Sequence, residues 1–268
     1  MTDNVKQFGR VCHLIVGKDG KGLKISNLRM TFDVKKSSGE EPNTAKIEIY
    51  NLNPEHQSQI VSEWAEIQLF AGYEGHERLI YNGQIRTAIP TVNGADRIMT
   101  IESGDGDREI LRGFINKTLE KGCTADDIVK ECQSAMFEVS AAHKDPLEAT
   151  YSRGKVLSGR ASDVLTEQCN FNDAQWSIQD GQMLILQGGN VRPNAVWLIS
   201  QKTGMLGSPE PTTVGVKVKT LLNPAYLIGG VAKIESLIFS GGVRIETIGH
   251  RGDTHGSEWV SEIEGVSV

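Results

Sequence analysis

Short stretches that alternate polar and apolar residues fill both ends of this 268-residue chain and give way in its middle. Period-two alternation puts successive side chains on opposite faces of a strand. A chain with many such stretches must find partners for every strand edge, so it folds into sheets. The clearest case is Thr44–Tyr50, TAKIEIY, with Ala45, Ile47 and Ile49 on one face and Thr44, Lys46, Glu48 and Tyr50 on the other. VCHLIVG, then KDGKG, then LKISNLRMTFDVKK reads as two strands about a glycine-rich turn. Within the second strand the apolar phase slips between Ile25 and Leu28, which predicts a bulge at Ser26-Asn27. After NPEHQSQI, where Asn53 suits an N-cap and Pro54 a first helical turn, the strands EIQLFAGY, LIYNGQIRTAIP and RIMTIESG follow.

The pattern changes after GDGDREI. TADDIVKECQSAM opens with Thr124 and Asp127 spaced as a capping pair, and Ile128, Cys132 and Met136 recur at helical spacing. A second helix fits SGRASDVLTEQC, capped by Ser158 or Ser162, with Val164, Leu165 and Cys169 inward. Asp180-Gly181 in QWSIQDGQMLILQ predicts a tight hairpin turn. Strand patterns resume in TTVGVKVKTLLNP, GGVAKIESLIFS and GGVRIETIGHRGDTHGSEWVSEIEGV, with GMLGSPEP as an irregular lead-in. No internal repeat is visible. The expected fold is therefore mainly β with a small α/β insert: a first β region over residues 1–108, the insert over 109–190, and a second β region over 191–268.

Composition excludes several classes. With a formal net charge of −6, general affinity for nucleic acid or anionic membrane is not expected. No stretch approaches the roughly 20 apolar residues of a membrane span. MTDNVKQFGR has neither an apolar core nor a small-residue cleavage site, so no signal peptide is expected there. Cys12, Cys123, Cys132 and Cys169 form no CxxC pair and read as buried thiols of a protein made in a reducing cytoplasm.

The segment GHRGDTHGSEW, Gly249 to Trp259, gathers His250, Asp253, His255 and Glu258. As a metal centre it would be unusual: residues five apart on a strand face opposite sides, and the loop lacks the calcium-loop pattern. The competing reading is a hairpin turn in which Gly252 and Gly256 supply the bend and Asp253 bonds its own backbone. The Arg251-Gly252-Asp253 tripeptide alone carries no function. GKDGKGLK and SGDGDRE lack the phosphate-loop pattern, and Asp105 and Asp107 would repel a phosphate; both read as turns or hinges. No nucleophile elbow is present. No cofactor is implied.

Several phrases, in order, resemble phage baseplate hub proteins. FDVKKSSGEEPNTAKIEIYNLNPE resembles the family's strand, loop and strand ending in Tyr50-Asn51-Leu52. IESGDGDREILRGFINKTLEKGCTADDIV, with Gly104-Asp105-Gly106, resembles the passage into the inserted domain, and ASDVLTEQC with WSIQDGQMLILQGG resembles its end. The second β region is similar through a lead-in carrying Gly204 and Pro209, a Leu221-Leu222-Asn223-Pro224 turn, and the ending His250, Gly252, Asp253 and Trp259.

That resemblance implies two tail-tube-like β-barrel domains and a structural virion protein of the tail baseplate, made in the host bacterial cytoplasm. It implies a homotrimer adapting the sixfold tail tube to the threefold central spike and surrounding the DNA-ejection channel. Partners would be the spike below, tube or tube-initiator proteins above, and the tape-measure protein in the lumen, with no specific nucleic-acid binding, no membrane insertion and no enzymatic activity. The alternatives are a tube-initiator or distal-tail protein, or a metal-dependent hydrolase centred on His250, Asp253, His255 and Glu258.

Overall fold

The computed structural model describes residues 7–18, 21–62, 65–136, 139–213 and 215–268. Asp19 and Gly20 of the first glycine-rich turn, and Met1–Lys6, lie outside the described residues. The first region runs β1 (Arg10–Lys18), β2 (Lys21–Ile25), β3 (Met30–Ser37), β4 (Thr44–Tyr50), α1 (Pro54–Ser62), β5 (Glu66–Tyr73), β6 (Arg78–Asn93) and β7 (Asp96–Gly104). The middle adds α2 (Asp107–Arg112), β8 (Phe114–Leu119), α3 (Ala125–Ala135), β9 (Ser140–Lys144), β10 (Lys155–Arg160), α4 (Ala161–Phe171), β11 (Ala174–Gln179) and β12 (Gln182–Gln187). The last region holds β13 (Val196–Ser200), β14 (Met205–Pro211), β15 (Val216–Leu221), β16 (Val231–Glu235), β17 (Ser240–Asp253) and β18 (Trp259–Ser267).

The fold is mainly β with a small α/β insert. The strands of the first and last regions form one 13-stranded sheet in the order β14-β15-β18-β17-β3-β4-β7-β6-β5-β1-β2, with β16 on β17 and β13 on β16. The two regions join where the second half of β17, Thr247–Asp253, pairs antiparallel with Ser37–Thr31 of β3. The insert carries its own ladders, β8 with β10 and β9-β12-β11.

Three apolar cores follow from this arrangement. The first lies under β1 to β7 and takes in Leu222 and Trp259 from the last region. The second is built by α3, α4 and the insert strands around Ile128, Cys132, Leu165 and Trp176. The third lies under β13 to β18 and receives Leu184 and Leu186 from β12, whose Met183 and Ile185 face the second core. Both faces of β12 are therefore covered, which is why its sequence is a continuous apolar run instead of an alternation.

Local chemistry explains most boundaries. Asn53 Oδ1 accepts the Glu55 amide at the start of α1, and Thr124 with Asp127 closes a complete capping box on α3. Asp180 (φ 55°) and Gly181 (φ 77°) make the hairpin turn between β11 and β12.

Five expectations need correction. The bulge at Ser26-Asn27 is a full break: Asn27 turns into the left-handed region (φ 61°), so β2 stays on β1 while β3 leaves for the middle of the sheet. GMLGSPEP is an edge strand with a register shift between Leu206 and Glu210. SGDGDRE runs into the helical turn α2, which starts at Asp107. The residue before α4 is Arg160, and neither Ser158 nor Ser162 caps it: Ser158 sits in β10 and the Ser162 hydroxyl bonds the Ile110 carbonyl. Of the four free cysteines only Cys132 and Cys169 are buried.

An internal repeat, invisible as sequence, is plain in the pairing. β3-β4-β7-β6-β5 and β14-β15-β18-β17-β16 have the same order, and every pair within them is antiparallel. The long hairpins β6–β7 and β17–β18 each carry a register shift at the same place, between Ile85 and Thr87 and between Ile245 and Thr247. Both β4 and β15 run into Leu-Asn-Pro, Leu52-Asn53-Pro54 and Leu222-Asn223-Pro224. In each, the asparagine Oδ1 accepts the amide two residues on.

Candidate assembly site

Most residues singled out in the sequence gather at two buried seams. The first seam is the junction of β17 with β3. The hairpin β17–β18 closes with the Asp253 amide on the Glu258 carbonyl, and Asp253 Oδ1 accepts the His255 amide at 2.9 Å. The same carboxylate takes two bonds from Arg29, at 2.8 and 3.3 Å. Those bonds hold it down to about 2, well below the ordinary carboxylate value. The Arg29 guanidinium also lies over the Tyr50 ring, so the end of β4, the β2–β3 break and the last hairpin are tied together.

Behind that turn aromatic rings fill the seam. Trp259 is 1% exposed and meets Phe32 edge to face with ring centroids 5.4 Å apart; burying such a ring stabilises by about 2–3 kcal/mol. Gly252 does not bend the chain, as the sequence suggests; it lies within β17, where a Cβ would run into the rings of Phe32 and Trp259. Gly256 is a close-approach glycine too, its missing Cβ leaving room for the Asp253 carboxylate. His250 is likewise not a surface ligand. It is fully enclosed, and Nδ1 lies 2.8 Å from Ser261 Oγ. Burial, helped by the charge of Lys36, pushes its imidazole down to about 3. Ser261 Oγ also accepts the Asn223 amide, and the Leu222 amide donates to the Trp259 carbonyl. Leu221 ends β15 at this same corner, and Pro224 continues the turn there.

The four residues of the metal reading do not converge. His250 faces Ser261, Asp253 faces Arg29, Glu258 lies 3.4 Å from Arg251, and His255 is exposed beside Thr254. Among the described residues no group of three or more His, Cys, Asp or Glu side chains is placed to hold a metal ion.

The second seam joins the first sheet to the insert through the Asp180-Gly181 turn. Asp105 is 1% exposed, and its carboxylate accepts the amides of Asp180 and Gly181. Burial, with the charge of Asp180 second, pushes it up to about 7 against the pull of those amides and of Lys36. Lys36 binds Asp180 at 2.6 Å, the Asn82 amide donates to the same carboxylate, and Asn43 Nδ2 donates to the Ile178 carbonyl and Gln179 Oε1. Gly106 (φ 76°) stands before α2, with no room for a Cβ against Ile178. Gly104 leaves space for Arg86 and Asp107, which pair there.

The remaining singled-out residues lie apart from both seams. Asn51 (φ 56°) leaves β4 and bonds Asp96 and the Arg97 amide at the turn end of the β6–β7 hairpin. Leu52 is buried in the first core. Gly204 (φ 97°) leads into β14, and Pro209 is buried within it. Sequence reasoning missed Lys36, Asn43, Arg29, Phe32 and Ser261. All but Ser261, which meets His250 across its own hairpin, lie far along the chain from their partners, and their residue types are ordinary for strands.

The arrangement offers hydrogen-bonded seams between packed sheets. A family model described as "Baseplate hub gp41" matches residues 14–240. No curated protein matches the sequence. Among solved structures, a tail protein from Neisseria meningitidis MC58 superposes with a TM-score of 0.68 at 10% identity, covering 96% of each chain. The 43 kDa tail protein of prophage MuSo2 from Shewanella oneidensis gives 0.64 at 10% identity, covering 95% of this chain and 98% of that one. The E. coli c3393 protein, described as a component of the type VI secretion system with structural similarity to T4 tail proteins gp27 and gp5, gives 0.62 at 11% identity over 95% of this chain and 76% of its own.

Proposed function

This chain belongs to the baseplate hub gp41 family, and from that membership we propose that it acts as the trimeric hub of a phage-type tail baseplate. Three copies would form a ring of six tube-like units, with the sixfold tail tube above, a threefold spike below and the DNA-ejection channel through the centre. The observation that carries this reading is the repeat: two five-strand units of identical order, joined edge to edge through β17 and β3. A chain with two equivalent units converts threefold into pseudo-sixfold symmetry without any further component. We read residues 1–108 and 191–268 as the two units and 109–190 as the insert.

The role is structural and non-enzymatic. Tube or tube-initiator proteins above, the spike below and the tape-measure protein in the lumen are its proposed neighbours. A net charge of −6 fits a channel that passes DNA without holding it. The test is mass: native mass spectrometry of the purified chain, and copy number in assembled tails. Three copies support the hub; six or twelve copies per tail would point to a tube-initiator or distal-tail protein.

A further inference from the structure

All three parts of the chain meet around one small cavity. Lys36 of β3 and Leu79 of β6 reach it from the first region, Asp180 from the β11–β12 turn of the insert, and Arg192, Tyr226 and Ile228 from the last region. Its volume is about 180 Å³, enough for several waters or one small ion.

The charges around it do not balance. Among the described residues Lys36 and Arg192 line it as cations and Asp180 as the sole carboxylate. That carboxylate is already spent. Both of its oxygens take bonds from Lys36 Nζ, at 2.6 and 2.7 Å, and Oδ1 also accepts the Asn82 amide. Among the described residues nothing accepts a hydrogen bond from the Arg192 guanidinium. Burial pulls its pKa below the ordinary guanidinium value, and only the charge of Asp180, acting without a bond, opposes that.

The base of the Arg192 side chain is fixed from behind. Its amide donates to the Gly229 carbonyl at 2.7 Å, and the Gly229 amide donates to Ile245. Gly229 takes φ 77°, and a Cβ there would run into Leu186. The backbone thus holds a partly buried cation beside a cavity without giving it a partner.

We propose that this cavity is a binding site for a small oxyanion of the phosphate type, held by the Arg192 guanidinium with the Lys36 ammonium beside it. A guanidinium presents five donors in a planar fork that matches two oxygens of such an anion. Lys36 keeps a third N–H after its two bonds to Asp180. Leu79, Tyr226 and Ile228 give the cavity apolar walls, so the field of the two cations is screened less than on an open face. Water would satisfy the donors but leave the charge uncancelled. An anion shared by Lys36 and Arg192 ties the first sheet and the last region together beside the insert turn. The inference is independent of the hub reading.

The test is a titration of the whole chain with inorganic phosphate, followed by calorimetry and by thermal unfolding, against sodium chloride at matched ionic strength. The wild-type midpoint is expected to rise with the logarithm of phosphate concentration and not with chloride. Arg192→Met keeps the length of the side chain and removes its donors. It is expected to weaken phosphate binding about tenfold or more, while its midpoint without phosphate stays unchanged or rises, because a buried cation without a partner is lost. No phosphate-dependent rise in the wild type, or the same rise with chloride, overturns the site. Equal phosphate binding by Arg192→Met places the anion elsewhere and overturns it too. A variant that loses stability without phosphate makes Arg192 a structural residue, against the proposal.

Discussion

Lys36 Nζ sits 2.6 Å from Asp180 Oδ2, with the lysine side chain only 8% exposed. One partner comes from a central strand of the main sheet and the other from a hairpin turn of the insert. Removing the carboxylate leaves a buried ammonium without its bonded partner and the Asn82 amide without its acceptor. Asp180→Ala is expected to lower unfolding stability by about 3–5 kcal/mol, measured by chemical denaturation. A loss below the scatter of such measurements would mean the seam is wet and its ion pair screened.

Asp105 adds a pH dependence of known sign. Its carboxyl is raised from 3.8 to about 7, so between those values the folded chain binds a proton that the unfolded chain has released. Its stabilisation is complete below about pH 4 and is lost as pH rises through 7. Asp180, Lys36 and Asn43 are the polar groups facing it. The expected swing is roughly 1–4 kcal/mol in total, and Asp105→Asn should remove it. The check is the difference in unfolding free energy between wild type and variant at pH 5 and at pH 8.

His250 works in the opposite direction. Its imidazole falls from 6.5 to about 3, so the unfolded chain takes up the proton first as pH falls. The stabilisation from keeping it neutral is present above about pH 6.5 and is lost on acidification toward 3. Proton NMR should show one histidine, absent from His250→Gln, that does not titrate between pH 7 and 5. Titration near 6.5 would contradict its burial beside Ser261.

Gly252→Ala should destabilise although its backbone needs no glycine conformation. The new methyl meets Phe32 and Trp259 in the packed seam, at a cost of about 1–3 kcal/mol. A matching drop in near-ultraviolet tryptophan signal would identify the Phe32–Trp259 contact as the part disturbed.

Strands, the α1 and α3 caps and the Asp180-Gly181 turn were legible because each depends on neighbours along the chain. The last hairpin was legible for the same reason, its Asp253 bonding the amide two residues on. Gly252 was misread because a glycine kept free of a Cβ looks the same in sequence as one kept for a turn. Asn27 was misread because a bulge and a break both begin with a phase slip. The repeat could have been suspected from Leu52-Asn53-Pro54 and Leu222-Asn223-Pro224, but three residues among alternating strands do not stand out.

The sequence by itself determined which segments pair as strands, which coil, and where tight turns fall, because these are set by side-chain period, capping and backbone preference within a few residues. Only the tertiary structure decided that β17 crosses to β3, that Asp105, Lys36 and Asp180 share a buried seam, and that half of β6 and all of β14 keep an open edge. Edge pairing depends on which backbone groups remain free once every other strand is placed, and buried charge depends on partners more than 70 residues apart along the chain. Neither quantity exists until the whole sheet is assembled.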